Sequence, residues 1–174
     1  IERSEPLVAR FGPILEDLRD RTNETVILGQ AASSGNTVIY LDVIEGTQAI
    51  RYSANIGDRK PLHSTAIGKV LLGCMSADQR RKTLGKVKTD AITHRTMTGG
   101  NDNVDDIEVG VNRGYQITRG ENVVDVGAIA MPVSLLGRTF GVAVAGPIQR
   151  LDANVSRHAG LLAEACRKME ALAG

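Results

Sequence analysis

The sequence lacks a charge excess, has few cysteines and contains no long apolar run. Its 174 residues carry 21 lysines and arginines against 20 aspartates and glutamates, so this segment has no electrostatic reason of its own to hold DNA or an anionic membrane. The two cysteines, Cys74 and Cys166, lie in separate apolar helical patterns, which indicates small buried residues in a reducing compartment rather than a disulfide. Without a signal-sequence pattern or a run of roughly 18 apolar residues, we expect a cytoplasmic protein with no membrane partner.

The residues that bind metals are also few and scattered. The three histidines, His63, His94 and His158, have no His-x-x-x-His or cysteine partner of the kind that zinc sites need. The acidic stretch NDNVDD at 101–106 places apolar residues where a calcium loop needs a ligand and a turn glycine. We therefore expect no metal site and no cofactor.

The chain length and the spacing of apolar residues predict one α+β domain. At 174 residues, the chain fits a single domain, residues 1–174, with a sizeable core. Helical spacing predicts helices over 4–21, 63–75, 76–85, 104–113 and 154–172, the first kinked or restarted at Gly12-Pro13. β-Branched runs predict strands over 25–32, 37–45, 48–55, 115–119, 126–133 and 139–146. Because the strands do not alternate regularly with helices, we expect an antiparallel central sheet of about six strands flanked by helices.

The stretch RKPLHSTAIGKVLLG at 59–73 places a Gly-Lys pair at the start of an apolar helix. A phosphate-binding loop needs G-x-x-x-x-G-K-[ST], but His63 replaces the first glycine and Val70 the hydroxyl residue, so we reject a nucleotide site. Two interpretations stay open. The unpaired N–H groups of the first helical turn bind a carboxylate, or Ser64 or Thr65 simply caps the helix.

Several longer stretches together resemble the effector-binding domain of the IclR family of bacterial transcription regulators. The most specific is VIYLDVIEGTQAIRYSANIGDRKPLHSTAIGKVLL, which fits a P-L-H-[AS]-[ST]-A-x-G-K-x-L-L pattern after a strand ending in Ile-Glu-Gly. The others are FGPILEDLRDRTNETV, RGYQITRGENV, AIAMPV and GVAVAGP. In this order they cover nearly the whole chain, so the chain is identified as a member of that family.

The resemblance implies a GAF-like fold, in which the 63–75 helix closes one face of an antiparallel sheet over a pocket for a small-molecule effector. It implies a homo-oligomer, a dimer or tetramer, whose assembly the effector alters. Operator DNA would be a partner only through an N-terminal winged helix-turn-helix domain that this chain does not contain, and residues 1–12 would include the end of a linker helix. The implied role is effector binding and oligomerisation in a transcriptional regulator, without catalysis.

The resemblance also implies which residues contact the effector. Two residues at the helix start would offer backbone N–H groups to an effector carboxylate: Ala66 and Ile67. Strand residues would line the opposite side of the pocket: Thr118, Ala128, Ala143 and Ala145, with Val126 nearby.

This chain departs from the family pattern in the polarity of that pocket. Relatives commonly carry an acidic residue where this chain has Thr118 and Arg119, and often serine or cysteine where it has Ala128, Ala143 and Ala145. A small, highly polar oxo-acid would leave its oxygens unpaired there, at a cost of about 1 to 3 kcal/mol each. We therefore expect an aromatic or branched carboxylic acid as effector, rather than one the size of glyoxylate or pyruvate.

Two other functions stay open as alternatives. One is a small-molecule-processing, hydrolase-like enzyme centred on His63 and Ser64, although neighbouring side chains point apart and a nucleophile must lie within hydrogen-bond reach of its base. The other is a sensor domain on the same GAF-like fold that feeds a signalling enzyme instead of DNA. We expect a sensor and not an enzyme.

Overall fold

A six-stranded antiparallel sheet forms the centre of the computed structural model, which describes residues 5–173. Its strands are β1 (Thr25–Ala31), β2 (Thr37–Ile44), β3 (Arg59–Pro61), β4 (Gln116–Arg119), β5 (Val126–Leu135) and β6 (Arg138–Pro147). They lie in the order β3-β2-β1-β6-β5-β4, and every neighbouring pair is antiparallel. The predicted α+β class with a sheet of about six strands is confirmed.

In the part of the chain that the structure describes, six α-helices pack around the sheet. They are α1 (Pro6–Thr22), α2 (Ala66–Gly73), α3 (Ala77–Lys86), α4 (Gly100–Arg113), α5 (Ile148–Ala153) and α6 (Val155–Glu170), followed by a 3-10 turn at Ala171–Ala173. Within residues 5–173, no helix is long and apolar enough to cross a membrane.

Alternate residues along β1, β5 and β6 face two separate apolar clusters, as the two-residue period of a strand requires. On one face, α1 and α6 pack against β6, and the rings of Phe11 and Phe140 meet edge to face with centroids 5.5 Å apart. On the other face, α2 and α4 cover Ile27, Ala143 and Ala145. This second face carries the candidate site.

The predicted strand at 48–55 is wrong. Those residues are irregular, and the third strand is instead the short segment Arg59–Pro61 at the edge of the sheet. The 48–55 segment is held by a hydrogen bond from Thr25 Oγ1 to the Tyr52 carbonyl rather than by strand pairing. The true strand escaped prediction because it has three residues, two charged and one a proline, which is typical of a protected sheet edge.

The terminal helices differ from their predictions in detail. Pro13 lies inside α1, which runs without a break from Pro6 to Thr22, so the Gly12-Pro13 pair does not restart the helix. The final helix expected over 154–172 is present as α6 and the 3-10 turn, and the short helix α5 that precedes it was not predicted. The expected linker helix at residues 1–12 lies partly outside the described residues; within them, Val8 and Phe11 are buried in the core.

The two cysteines have different surroundings. Cys166 is buried against the α1–α6 core, as predicted, and burial raises the pKa of its thiol to about 12. Cys74 is exposed, contrary to the prediction, because α2 ends at Gly73 and its apolar face ends with it. The two thiols form no disulfide.

Candidate ligand-binding cleft

A cleft lies between the first turn of α2 and the sheet, and most of the residues that line it are apolar, as in small-molecule sites generally. Its lining includes all seven residues that the family resemblance implies for effector contact: Ala66, Ile67, Thr118, Val126, Ala128, Ala143 and Ala145. The structure therefore brings these residues together from α2, β4, β5 and β6. That they bind an effector stays a prediction.

Thr65 is the N-cap of α2. Its Oγ1 accepts a hydrogen bond from the Gly68 N–H at 3.2 Å and donates one to the Pro61 carbonyl at 2.6 Å. The cap does not use the first two N–H groups of the helix: those of Ala66 and Ile67 have no acceptor within residues 5–173. Capping and anion binding are thus compatible here, because two donors at the positive end of the helix remain free at the cleft.

Three glycines bring α2 close to its neighbours. A Cβ at Gly68 would stand 2.2 Å from the Leu62 carbonyl oxygen, so only glycine fits there. The Ile67 side chain lies over Gly29 and Gly141 of the sheet, within 3.2 Å and 2.8 Å of where their Cβ atoms would be. This packing fixes the helix start at the edge of the cleft.

The polar groups of the cleft are hydroxyls and one amide. Ser64 Oγ donates to Asn122 Oδ1 at 3.3 Å. Tyr40 and Tyr52 lie at the β2 side of the cleft; burial raises the pKa of the Tyr40 hydroxyl, and its hydrogen bond to Tyr52 adds to this. Of the described residues that line the cleft, none carries a charge. A bound anion would therefore depend on backbone N–H groups and neutral donors.

Four polar residues that line the cleft are not among the seven suggested contacts. The sequence indicates Ser64 only as a cap or a nucleophile. Tyr40 could have been found, because it occupies a buried position in the alternating pattern of β2. Tyr52 and Asn122 lie in irregular segments whose sequence gives no sign of where they fold.

Lys69, the lysine of the Gly-Lys pair, forms ion pairs with two carboxylates of the protein. Its side chain is completely buried, and its Nζ lies 2.6 Å from both Asp106 Oδ2 and Glu121 Oε1. Burial raises the pKa of the Glu121 carboxyl, while the Lys69 charge opposes that rise. Because the Lys69 ammonium group is buried and pairs with these two carboxylates, it is not placed to bind a phosphate, in agreement with the rejection of a phosphate-binding loop.

The arrangement around His63 and Ser64 lacks the geometry of a nucleophile and its base. His63 Nε2 is 2.9 Å from the Asp90 carbonyl oxygen, while Ser64 Oγ bonds to Asn122. Among the hydrogen bonds of residues 5–173, none joins the side chains of His63 and Ser64. The same described residues contain no group of three His, Cys, Asp or Glu side chains that could hold a metal ion.

Comparison with known proteins identifies relatives along the whole chain. The sequence model of the family described as "Bacterial transcriptional regulator IclR C-terminal" matches residues 3–171. The chain is 31% identical over 166 residues to the HTH-type transcriptional regulator KdgR of Escherichia coli (strain K12), covering 92% of this chain and 61% of that protein. It is 27% identical over 170 residues to the transcriptional repressor IclR of the same organism, covering 96% and 62% respectively. The chain thus spans about three fifths of the length of such relatives.

Solved structures agree with these matches. The crystal structure of the C-terminal domain of the E. coli transcriptional regulator KdgR superposes with a TM-score of 0.83 at 27% identity, covering 95% of this chain and 96% of that one. The crystal structure of the Thermotoga maritima IclR gives a TM-score of 0.90 at 24% identity, covering 99% and 70%. The second likeness shows the fold alone.

Proposed function

Because the chain belongs to the IclR family of bacterial transcriptional regulators and matches its C-terminal part, we propose that it is an effector-binding domain whose ligand occupies the cleft at the start of α2. In this proposal residues 1–174 form one sensing unit. The single observation that supports it best is the convergence of all seven suggested contact residues on one cleft.

The proposed effector is an aromatic or branched carboxylic acid. The free N–H groups of Ala66 and Ile67 hold its carboxylate at the positive end of α2. Its apolar part lies against the methyl groups of Ala128, Ala143 and Ala145, which cannot hydrogen-bond to an oxo-acid. Tyr40 and Asn122 provide neutral polar contacts.

The proposed output is a change in assembly and in operator binding. An effector shifts an equilibrium only by the difference in its affinity for the two states. In this scheme the domain forms a homodimer or homotetramer, and operator DNA is held by a DNA-binding domain outside this chain. Such a regulator works in the cytoplasm, where the bacterial chromosome is.

A catalytic role has less support. A hydrolase on this chain would need His63 to activate Ser64, but the His63 Nε2 contacts the Asp90 carbonyl and the Ser64 hydroxyl contacts Asn122. The named relatives are regulators and repressors. We therefore propose binding without turnover.

The test is a thermal-denaturation screen against aromatic, branched and short 2-oxo carboxylic acids, with phenylacetate as the reference aromatic acid. A ligand at a hundred times its Kd stabilises the fold by about 2.7 kcal/mol, which for a domain of this size raises Tm by roughly 5 to 10 °C. We expect the rise for aromatic or branched acids. Pyruvate binding more tightly than every such acid in calorimetry would contradict the proposed effector class.

A pair of matched variants shows whether the cleft is the site. Ala128→Phe fills the cleft from β5, whereas Ala163→Phe adds the same bulk at an equally half-buried alanine on α6, on the opposite face of the sheet. We expect Ala128→Phe to abolish the Tm rise and Ala163→Phe to retain it. Loss of the rise in both variants, or in neither, would place the ligand elsewhere.

A further inference from the structure

The segment Gly120–Asp125, here called the lid, covers one side of the cleft. It joins β4 to β5, and both of its end residues have left-handed backbone conformations, with φ of 73° at Gly120 and 68° at Asp125. Asn122 and Val123 line the cleft from this segment. Any displacement of the lid would therefore change the shape of the cleft directly.

The residue before Asn122 ties the lid to α2. Glu121 is buried, and its carboxylate lies 2.6 Å from Lys69 Nζ. Lys69 lies on the same helix as Ala66 and Ile67, which line the cleft. One ion pair thus connects the helix that forms one wall of the cleft to the segment that forms another.

The remaining attachments of the lid are weaker or involve only its backbone. Ser64 reaches Asn122 through a long hydrogen bond of 3.3 Å. The hydroxyls of Thr93 and Thr96 donate to the backbone carbonyls of Gly120 and Glu121. Since a buried charge that loses its partner is strongly unfavourable, the ion pair restricts the lid more than these neutral bonds do.

Neither member of the pair touches the cleft. We propose that the Lys69–Glu121 ion pair is a positioning device that holds the lid over the cleft and so sets effector affinity without contacting the effector. The affinity part rests on the proposed function. If the effector binds only to the closed lid, its apparent Kd rises in proportion as the closed fraction falls.

The second carboxylate on Lys69 provides a matched control. Asp106 Oδ2 lies at the same 2.6 Å from Lys69 Nζ, but Asp106 belongs to α4 and not to the lid. Glu121→Gln and Asp106→Asn each remove one negative charge from the same ammonium group while keeping nearly the same side-chain shape. Glu121 is the more buried of the two, with its side chain 8% exposed against 30% for Asp106, so a purely structural role predicts a somewhat larger loss of global stability for Glu121→Gln but no effect confined to the lid.

The first measurement needs no ligand. Amide hydrogen exchange follows three N–H groups whose hydrogen bonds anchor the lid ends: Gly120 to the Val126 carbonyl, Val126 to the Val123 carbonyl, and Ile148 to the Asp125 carbonyl. We expect Glu121→Gln to speed their exchange at least tenfold and Asp106→Asn to change it less than twofold. Equal effects of the two variants, or no effect of Glu121→Gln, would overturn the proposal.

The second measurement is calorimetric titration with phenylacetate, or with whichever acid of the screen stabilises the wild type most. We expect a Kd at least tenfold higher for Glu121→Gln and within twofold of the wild type for Asp106→Asn. An unchanged Kd in a Glu121→Gln variant with a loosened lid would refute control of affinity by the lid. If no acid binds the wild type, the proposed function fails, and the exchange experiment still decides whether the pair positions the lid.

Discussion

The Ile67 side chain of α2 lies directly over Gly141 of β6, where a Cβ would stand 2.8 Å from Ile67 Cγ2. Ile67 is fully buried, and its backbone N–H is one of the two free donors at the cleft. Because Ile67 both packs against the sheet and lines the cleft, a change in this packing would shift the residues of the candidate site.

We expect Gly141→Ala to force α2 away from the sheet. Overpacking of this kind typically costs about 1 to 3 kcal/mol of unfolding free energy, and displacement of the helix start should weaken ligand binding. Urea denaturation and calorimetry measure the two effects. Gly160→Ala is the control, since a Cβ there meets nothing within 4 Å; in the middle of α6 it should stabilise the fold by up to about 1 kcal/mol.

The cap of α2 gives a second prediction. Thr65→Ala removes the acceptor of the Gly68 N–H and should cost about 1 kcal/mol of unfolding free energy. Because the cap holds the first turn at the cleft, ligand binding should weaken as well. Ser76→Ala removes the equivalent cap of α3, so it should lower stability by a similar amount and leave binding unchanged. Parallel loss of binding in both variants would show that only global stability matters.

The sequence was most informative where local pattern and packing agree. The residues around Thr65 predicted a helix start completed by a cap or by a bound carboxylate, and the cap is present. The resemblance to the IclR family placed Ala143 and Ala145 in one pocket, and both line the cleft. Tyr52 and Asn122 could not be predicted, since their positions are fixed by bonds to Thr25 and Ser64, which are distant in sequence.

The sequence also could not predict that Lys69 is buried. Lysine is rarely buried unless paired, and its two partners come from positions 37 and 52 residues further along the chain. Only the fold brings α4 and the lid to the same ammonium group. The same holds for β3, whose pairing with β2 depends on the path of the irregular 45–58 segment.

The Arg150–Glu24 ion pair gives a third prediction. Arg150 Nε and Nη2 donate to the two carboxylate oxygens of Glu24 at 2.7 and 2.9 Å, and Glu24 is almost fully buried. Arg150→Met would leave the carboxylate buried without its partner. We expect a loss of about 2 kcal/mol in chemical denaturation, less than for a fully buried pair because the arginine side chain is one third exposed.

The matched variant is Arg119→Met. It breaks a surface pair with Asp152, in which both side chains are nearly half exposed, and should cost well under about 1 kcal/mol. A comparable loss in the two variants would contradict the role assigned to burial.

His158 makes the stability of the fold depend on pH. Its side chain is buried, and its Nδ1 has no hydrogen-bond partner among residues 5–173. Burial lowers the pKa of the imidazole, although Glu24 partly opposes this. The neutral ring is therefore favoured in the folded state, while the unfolded chain takes up a proton near pH 6.5. Because the unfolded state binds more protons below that pH, the unfolding free energy should not be reduced by His158 at pH 7.5. It should fall as the pH drops below about 6.5. Urea denaturation at pH 7.5 and 5.5 measures the fall. In His158→Gln, which cannot titrate, the fall should be smaller; an unchanged fall would assign it to other groups.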